Sequence, residues 1–171
     1  EIFYVDSKYD ELLRAENSKS FDIGIEKSFL NLGLDIDASY FNVKYHDTLE
    51  GWLASGWATQ NQTGTVKSQG FELISKWKKN ETLNFDLNYT YTSTYDGAEA
   101  DDPDKNENYT NTQMVRVPRN IVNLATNVKI PGYKNLDLTL NTKWSDMARD
   151  YGNGNRTWQD ERLDDYLVND L

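Results

Sequence analysis

The sequence predicts an all-β protein, an antiparallel up-and-down sheet of about seven strands forming the wall of a transmembrane β-barrel. Three observations predict it. Apolar and polar residues alternate along run after run. The connections between runs alternate in length, short then long. Aromatic residues gather near the ends of the runs.

The clearest element is 67–95. Phe71, Leu73 and Trp77 alternate with Gly70, Glu72 and Lys76. After Lys78-Lys79-Asn80-Glu81, Leu83, Phe85, Leu87, Tyr89 and Tyr91 alternate with Asn84, Asp86, Asn88, Thr90 and Thr92. Successive strand side chains point to opposite faces, so each run has one apolar and one polar face. The polar residues between them allow only a tight reversal, which makes an antiparallel hairpin. A hairpin does not stand alone in water, so its apolar face needs a second sheet or lipid.

The other elements follow in order. Residues 1–18 are irregular. Strand one is expected at 19–30, with Phe21, Ile23 and Ile25 opposite Asp22, Gly24 and Glu26, then a reversal at Asn31-Leu32-Gly33. Strand two, 34–45, sets Leu34, Ile36, Ala38 and Tyr40 against Asp35, Asp37 and Ser39. Its apolar phase shifts at Tyr40-Phe41, so that Phe41, Val43 and Tyr45 point the other way. A bulge or a change of environment would each explain the shift. A long segment, 46–64, leads into the hairpin, and another, 96–114, leaves it. Strand five is expected at 115–130, followed by a turn at Pro131-Gly132-Tyr133-Lys134. Strand six, 135–144, carries Leu136, Leu138, Leu140 and Trp144 on one face. A third long segment, 145–161, precedes a seventh strand starting near Arg162.

The connections are thus short after strands one, three and five and long after two, four and six. In an up-and-down sheet this places every short turn at one end and every long loop at the other. Transmembrane barrels sort their loops in this way, and a soluble sandwich has no reason to. Runs of about 10 to 14 residues suit a tilted span. Trp77 near the short turns, with Tyr91, Tyr95 and Trp144 near the long loops, resembles two interfacial girdles. Aromatics are also good strand formers, which is the plainer reading. Asp35, Asp37, Glu72, Asn84, Asp86, Asn123, Asp137 and Lys143 would then face a wet lumen or a plug. A soluble sandwich could instead turn them to water.

Composition narrows the function. The 171 residues are 37% hydrophobic, with a mean hydropathy of −0.80, low for a packed globule. Aromatics reach 13%, which argues against disorder. A net charge of −10 leaves no basic stripe for nucleic acid and does not favour anionic lipid surfaces. The absence of cysteine excludes disulfides and thiolate chemistry, and the lone His46 makes a histidine triad improbable. No apolar run is long enough for a transmembrane helix, which says nothing about a barrel. The opening Glu1-Ile2-Phe3-Tyr4 is not a secretory leader, so a mature or internal piece is expected.

Several short patterns, in order, carry a family resemblance. They are KSQGFEL at 67–73, RVPR at 116–119 and LDDYLVNDL at 163–171. LRAENSKSFDIGI at 13–25 adds a partial match, with Ala15 where proline is usual. Together they resemble the C-terminal part of the barrel of a TonB-dependent outer-membrane receptor, of the vitamin B12 and siderophore receptor group. The matching positions are Gly70, Phe71, Glu72 and Leu73, then Arg116, Pro118 and Arg119, then loosely Tyr166, Leu167, Val168 and Asn169. That family's barrel has about 22 strands around a plug. The resemblance therefore implies that 1–171 is an incomplete wall, lacking the plug domain and the last strands. It implies outer-membrane lipid, TonB acting through the absent plug, and a small-molecule metal chelate or corrinoid as partners. It implies no cofactor and no enzymatic activity.

Candidate ligand-binding residues come from the long loops: Trp52, Trp57, Tyr109, Arg149, Tyr151 and Trp158, with Arg156 nearby. By the family's logic extracellular loops capture the ligand, and aromatics with arginine suit a siderophore or corrinoid. Loop aromatics packing on one another is the plainer reading. Asp102, Asp104 and Asn106 open like a calcium loop, but Glu107 and Gln113 replace the glycine and glutamate such a loop needs, so a solvated acidic loop is favoured. Asn-x-Thr sequons at Asn61, Asn80, Asn88, Asn108 and Asn155 read as a by-product of composition. The competing function is a soluble, secreted β-sandwich that stacks carbohydrate on Trp52, Trp57 and Trp158.

Overall fold

The computed structural model describes residues 13–50, 60–61, 65–96, 113–133, 136–151 and 160–171. Its strands are β1 (Asn17–Phe29), β2 (Leu34–His46), β3 (Leu49–Glu50), β4 (Gln60–Asn61), β5 (Thr65–Lys78), β6 (Leu83–Asp96), β7 (Asn120–Lys129), β8 (Asp137–Ser145), β9 (Ala148–Tyr151), β10 (Asp160–Leu163) and β11 (Tyr166–Asp170). Seven of them form one sheet in the order β1-β2-β5-β6-β7-β8-β11, every neighbouring pair antiparallel. The two small ladders, β3 with β4 and β9 with β10, lie within the long connections. The loop sorting read from the sequence therefore holds.

Cross-strand register shows what each face presents. Ile23, Tyr40, Phe71 and Tyr91 stand in one row, as do Ile25, Ala38, Leu73 and Tyr89. Glu72 pairs with Ser39 and Thr90 on the opposite face, and Lys76 stands between Asp35 and Asp86. The apolar face is bare. Among the described residues no hydrophobic side chain is buried, and Phe21, Ile23 and Ile25 are 59%, 62% and 72% exposed. No second sheet stacks on this face among the described residues, so the sandwich reading is not favoured. Each such side chain moved from water into hydrocarbon contributes about 1.5–3 kcal/mol, so lipid supplies the missing core.

The turns at the short end are closed by specific groups. After the 3-10 turn Leu30–Leu32, Gly33 adopts φ 61°, where a side chain would be strained. Its carbonyl accepts from the Lys78 amide at 2.8 Å, and a β-carbon there would collide with the Lys78 carbonyl. Between β5 and β6 the Asn80 carboxamide oxygen accepts from the amides of Thr82 and Leu83 and from the Thr82 hydroxyl, at 2.8–2.9 Å, a side chain imitating a backbone turn. The Trp77 indole donates to the Leu32 carbonyl at 3.1 Å and stacks on Phe85, so its ring is anchored at the rim of the apolar face.

The phase shift in β2 has no bulge behind it. All thirteen residues of β2 pair without interruption with both neighbours. Phe41, Val43 and Tyr45 therefore lie on the polar face, toward the long loops, while Asn42 and Lys44 take the apolar one, as a change of environment requires.

Three expectations need correction. Strand five begins at Asn120 rather than at 115, because Pro118 has no amide to donate and Arg116 sits at φ 60°. The segment after β8, read only as a long loop, contains β9. The seventh sheet strand is Tyr166–Asp170, because Arg162 pairs instead with Arg149 in the outer ladder.

Candidate functional site

Residues near the long loops matter most, because these loops meet at one end of the sheet. β6 outruns its partner there. Pairing with β7 stops at Tyr91 and Asn120, leaving Thr92 to Thr94 an open edge. Unpaired backbone groups away from water are costly, so something must cover them. Thr92 donates its amide to the Arg119 carbonyl at 2.8 Å. Beyond it the Gln113 side chain does the work of a strand. Its oxygen accepts from the Thr94 amide at 2.9 Å, and its nitrogen donates to the carbonyls of Thr92 and Val117 at 3.0 and 3.3 Å. Gln113 is 7% exposed, and Met114 donates its amide to the Thr94 hydroxyl at 2.7 Å.

This brace sets the arginines. Arg116, held at positive φ, donates its amide to the Arg149 carbonyl at 2.7 Å and its side-chain Nε to Asp150 at 2.8 Å. Arg149 donates from Nη1 to the Gln113 carbonyl at 3.2 Å and stands opposite Arg162 in the β9–β10 ladder. Two connections remote in sequence, 113–119 and 146–151, are thereby tied together. Below them the Tyr89 hydroxyl donates to Asn120, and Asn120 donates in turn to Asp146, both at 2.8 Å. The product is a polar rim with cationic groups on its surface, suited to an anionic or chelating small molecule.

Of the residues expected from sequence, Arg149 belongs to this rim. Tyr151 ends β9 opposite Asp160, which fixes only its backbone. Trp52, Trp57, Tyr109 and Trp158 lie outside the described residues, as do Arg156 and the acidic stretch Asp102, Asp104 and Asn106. Gln113, which would close a calcium loop, commits its amide to β6 instead. Among the described residues no group of three or more metal-ligating side chains converges. Sequence reasoning overlooked Gln113, Arg116 and Asp150 as site-forming. Arg116 and Pro118 were visible as a motif, yet a positive φ at arginine leaves no signature.

A cleft of about 790 Å³ lies at the opposite end, lined among others by Lys76, Lys78, Lys129, Asp35, Glu81 and Asp86. It faces the polar side and shares nothing with the loop residues.

A family model described as TonB dependent receptor-like, beta-barrel, matches residues 3–171. Among solved structures, the sheet is similar to the FrpB iron transporter of Neisseria meningitidis (TM-score 0.67, 14% identity, 92% of this chain and 24% of that one). It is similar to the pyoverdine outer membrane receptor FpvA of Pseudomonas aeruginosa (TM-score 0.68, 19% identity, 97% and 24%). It is also similar to the ferric yersiniabactin uptake receptor FyuA of Yersinia pestis (TM-score 0.62, 18% identity, 90% and 21%). The chain spans about a quarter of the length of these structures. No curated protein matches the sequence.

Proposed function

The chain belongs to the TonB-dependent receptor-like β-barrel family, a family of Gram-negative outer-membrane proteins, and from that premise we propose that it helps import a ferric siderophore or similar metal chelate. The observation that carries this is the bare apolar face set against a polar face, with all long loops at one end. The chain supplies a stretch of barrel wall from the C-terminal part of such a receptor. Its short turns face the periplasm and its long loops the exterior. The similar structures are named for iron or siderophore uptake, which favours an iron chelate over cobalamin.

Mechanistically, the rim built on Gln113, Arg116 and Arg149 would hold the loops that carry Trp52, Trp57, Tyr109, Tyr151 and Trp158 around the ligand. Arginine offers fixed, always-charged donors to chelate oxygens, and the aromatics offer stacking faces. The polar wall carrying Glu72, Asn84 and Asp86 would line the translocation path. TonB would act through the receptor's plug domain. The role is transport, not catalysis.

Uptake by cells lacking the gene tests this. Loss of radio-iron uptake from one ferric siderophore, restored by the plasmid-borne gene, is expected. If cobalamin uptake fails instead, the ligand class is wrong; if neither changes, the import role falls.

A further inference from the structure

One feature of the apolar face is out of place in hydrocarbon. Lys19 pairs with Lys44 and Lys44 with Lys67, so three lysines stand side by side across β1, β2 and β5. Strand alternation puts them on the same face as Phe21, Ile23, Tyr40, Phe71 and Leu73. The Lys67 ammonium lies 5.3 Å from the ring centre of Tyr95, the next residue of the row. All three lysines are exposed, and no carboxylate among the described residues pairs with any of them.

Like charges directly opposite on a sheet destabilise it unless a counter-charge covers them. In a chain of net charge −10, three adjacent cations on one face are a local exception. The rows beneath them are graded. Nearest the lysines come Asn42, Gln69 and Ser93, with Asn42 donating to Gln69 at 3.1 Å, and then the apolar row of Tyr40, Phe71 and Tyr91. Polarity thus rises from hydrocarbon through amide to cation along the strands. From Phe71 to Lys67 is about 13 Å of strand, or about 10 Å along the membrane normal at a tilt near 40°. That carries the ammonium groups past the hydrocarbon boundary into the headgroup layer.

We propose that the Lys19, Lys44 and Lys67 row binds the phosphate groups of anionic lipid in the outer leaflet, with the Gln69 carboxamide as a neighbouring donor, the Asn42 nitrogen being spent on Gln69 and the Tyr40 hydroxyl. The lipid's acyl chains lie down the strip of Phe21, Ile23, Phe71 and Leu73 while its phosphates neutralise the lysine row. This rests on the receptor reading, which decides that the long-loop end faces outward.

The full-length receptor, refolded into phosphatidylethanolamine vesicles, is the material for the test, with bis-phosphorylated lipid A as probe. Protease protection and heat-modifiable migration first report insertion. If the wild type does not insert, the receptor reading and this inference fall together. On inserted protein, combining Lys19→Gln, Lys44→Gln and Lys67→Gln should weaken lipid A retention, read by native mass spectrometry, about a hundredfold. Lys27→Gln, on the same face near the short turns, should leave retention unchanged. Equal retention by the triple variant overturns the proposal. So does competition by inorganic phosphate, which would show a free-anion site.

Discussion

Phe41 lies against Gly70 on the polar face of the sheet, its ring tip 2.9 Å from where a β-carbon on residue 70 would stand. The same β-carbon would drive into the Tyr91 carbonyl. Gly70 is buried although it sits mid-strand, because the ring and the neighbouring backbone occupy the space of a side chain. Gly70→Val should therefore destabilise the barrel by about 1–3 kcal/mol, toward the upper end because backbone cannot yield cheaply. Urea titration of heat-modifiable migration measures it. Unchanged stability would mean that the Phe41 contact is loose.

The two faces should respond oppositely to charge. Leu73→Arg or Leu87→Arg should cost about 2–4 kcal/mol at mid-membrane. Glu72→Lys, one residue away, should cost far less, since its face is wet. The same titration in vesicles checks both; equal effects would deny that the faces differ.

Gln113→Ala removes three hydrogen bonds to backbone and reopens the β6 edge. Hydrogen exchange at the Thr94 amide should accelerate by about tenfold or more, matching roughly 1–3 kcal/mol for an unsatisfied buried group. Amides in mid-β5 should not change. Protection retained at Thr94 would show that another group covers the edge.

Arg116 is 70% exposed and its ion pair with Asp150 contributes at most about 1 kcal/mol. Asp150→Ala should thus leave global stability within about 1 kcal/mol of the parent. Arg149→Ala, and separately Trp52→Ala, Trp57→Ala, Tyr109→Ala, Tyr151→Ala and Trp158→Ala, should each weaken ferric chelate binding by about tenfold, the scale of one lost anchor. Fluorescence quenching on cells checks this. Full affinity across the set would remove these residues from the site.

Period-two alternation from Phe21 to Trp144 was enough to read the sheet, because each strand has one face in lipid and that demand repeats residue by residue. Loop lengths supplied the topology for the same reason: an up-and-down sheet leaves no freedom in which end a connection occupies. What stayed hidden depends on single conformations. Arg116 at positive φ and Gln113 acting as a strand edge follow from contacts with Thr92, Thr94 and Arg149, far away in sequence. Arg149 was singled out because arginine in a long loop is chemically conspicuous, whereas a buried glutamine is not. The phase shift at Phe41 was visible, and only unbroken pairing could separate a change of environment from a bulge.

The Asn80 turn carries a consequence for how the wall assembles. Its three acceptor bonds lock Lys78 opposite Asn84, and every later pair in the β5–β6 hairpin follows from that one. Closing so short a loop takes well under a millisecond, whereas joining β2 to β5 must first close a far longer one. The hairpin therefore zips first and acts as the ruler for its neighbours. A slip of one residue would turn Glu72, Lys76 and Asp86 into the bilayer, so insertion itself rejects misregistered chains.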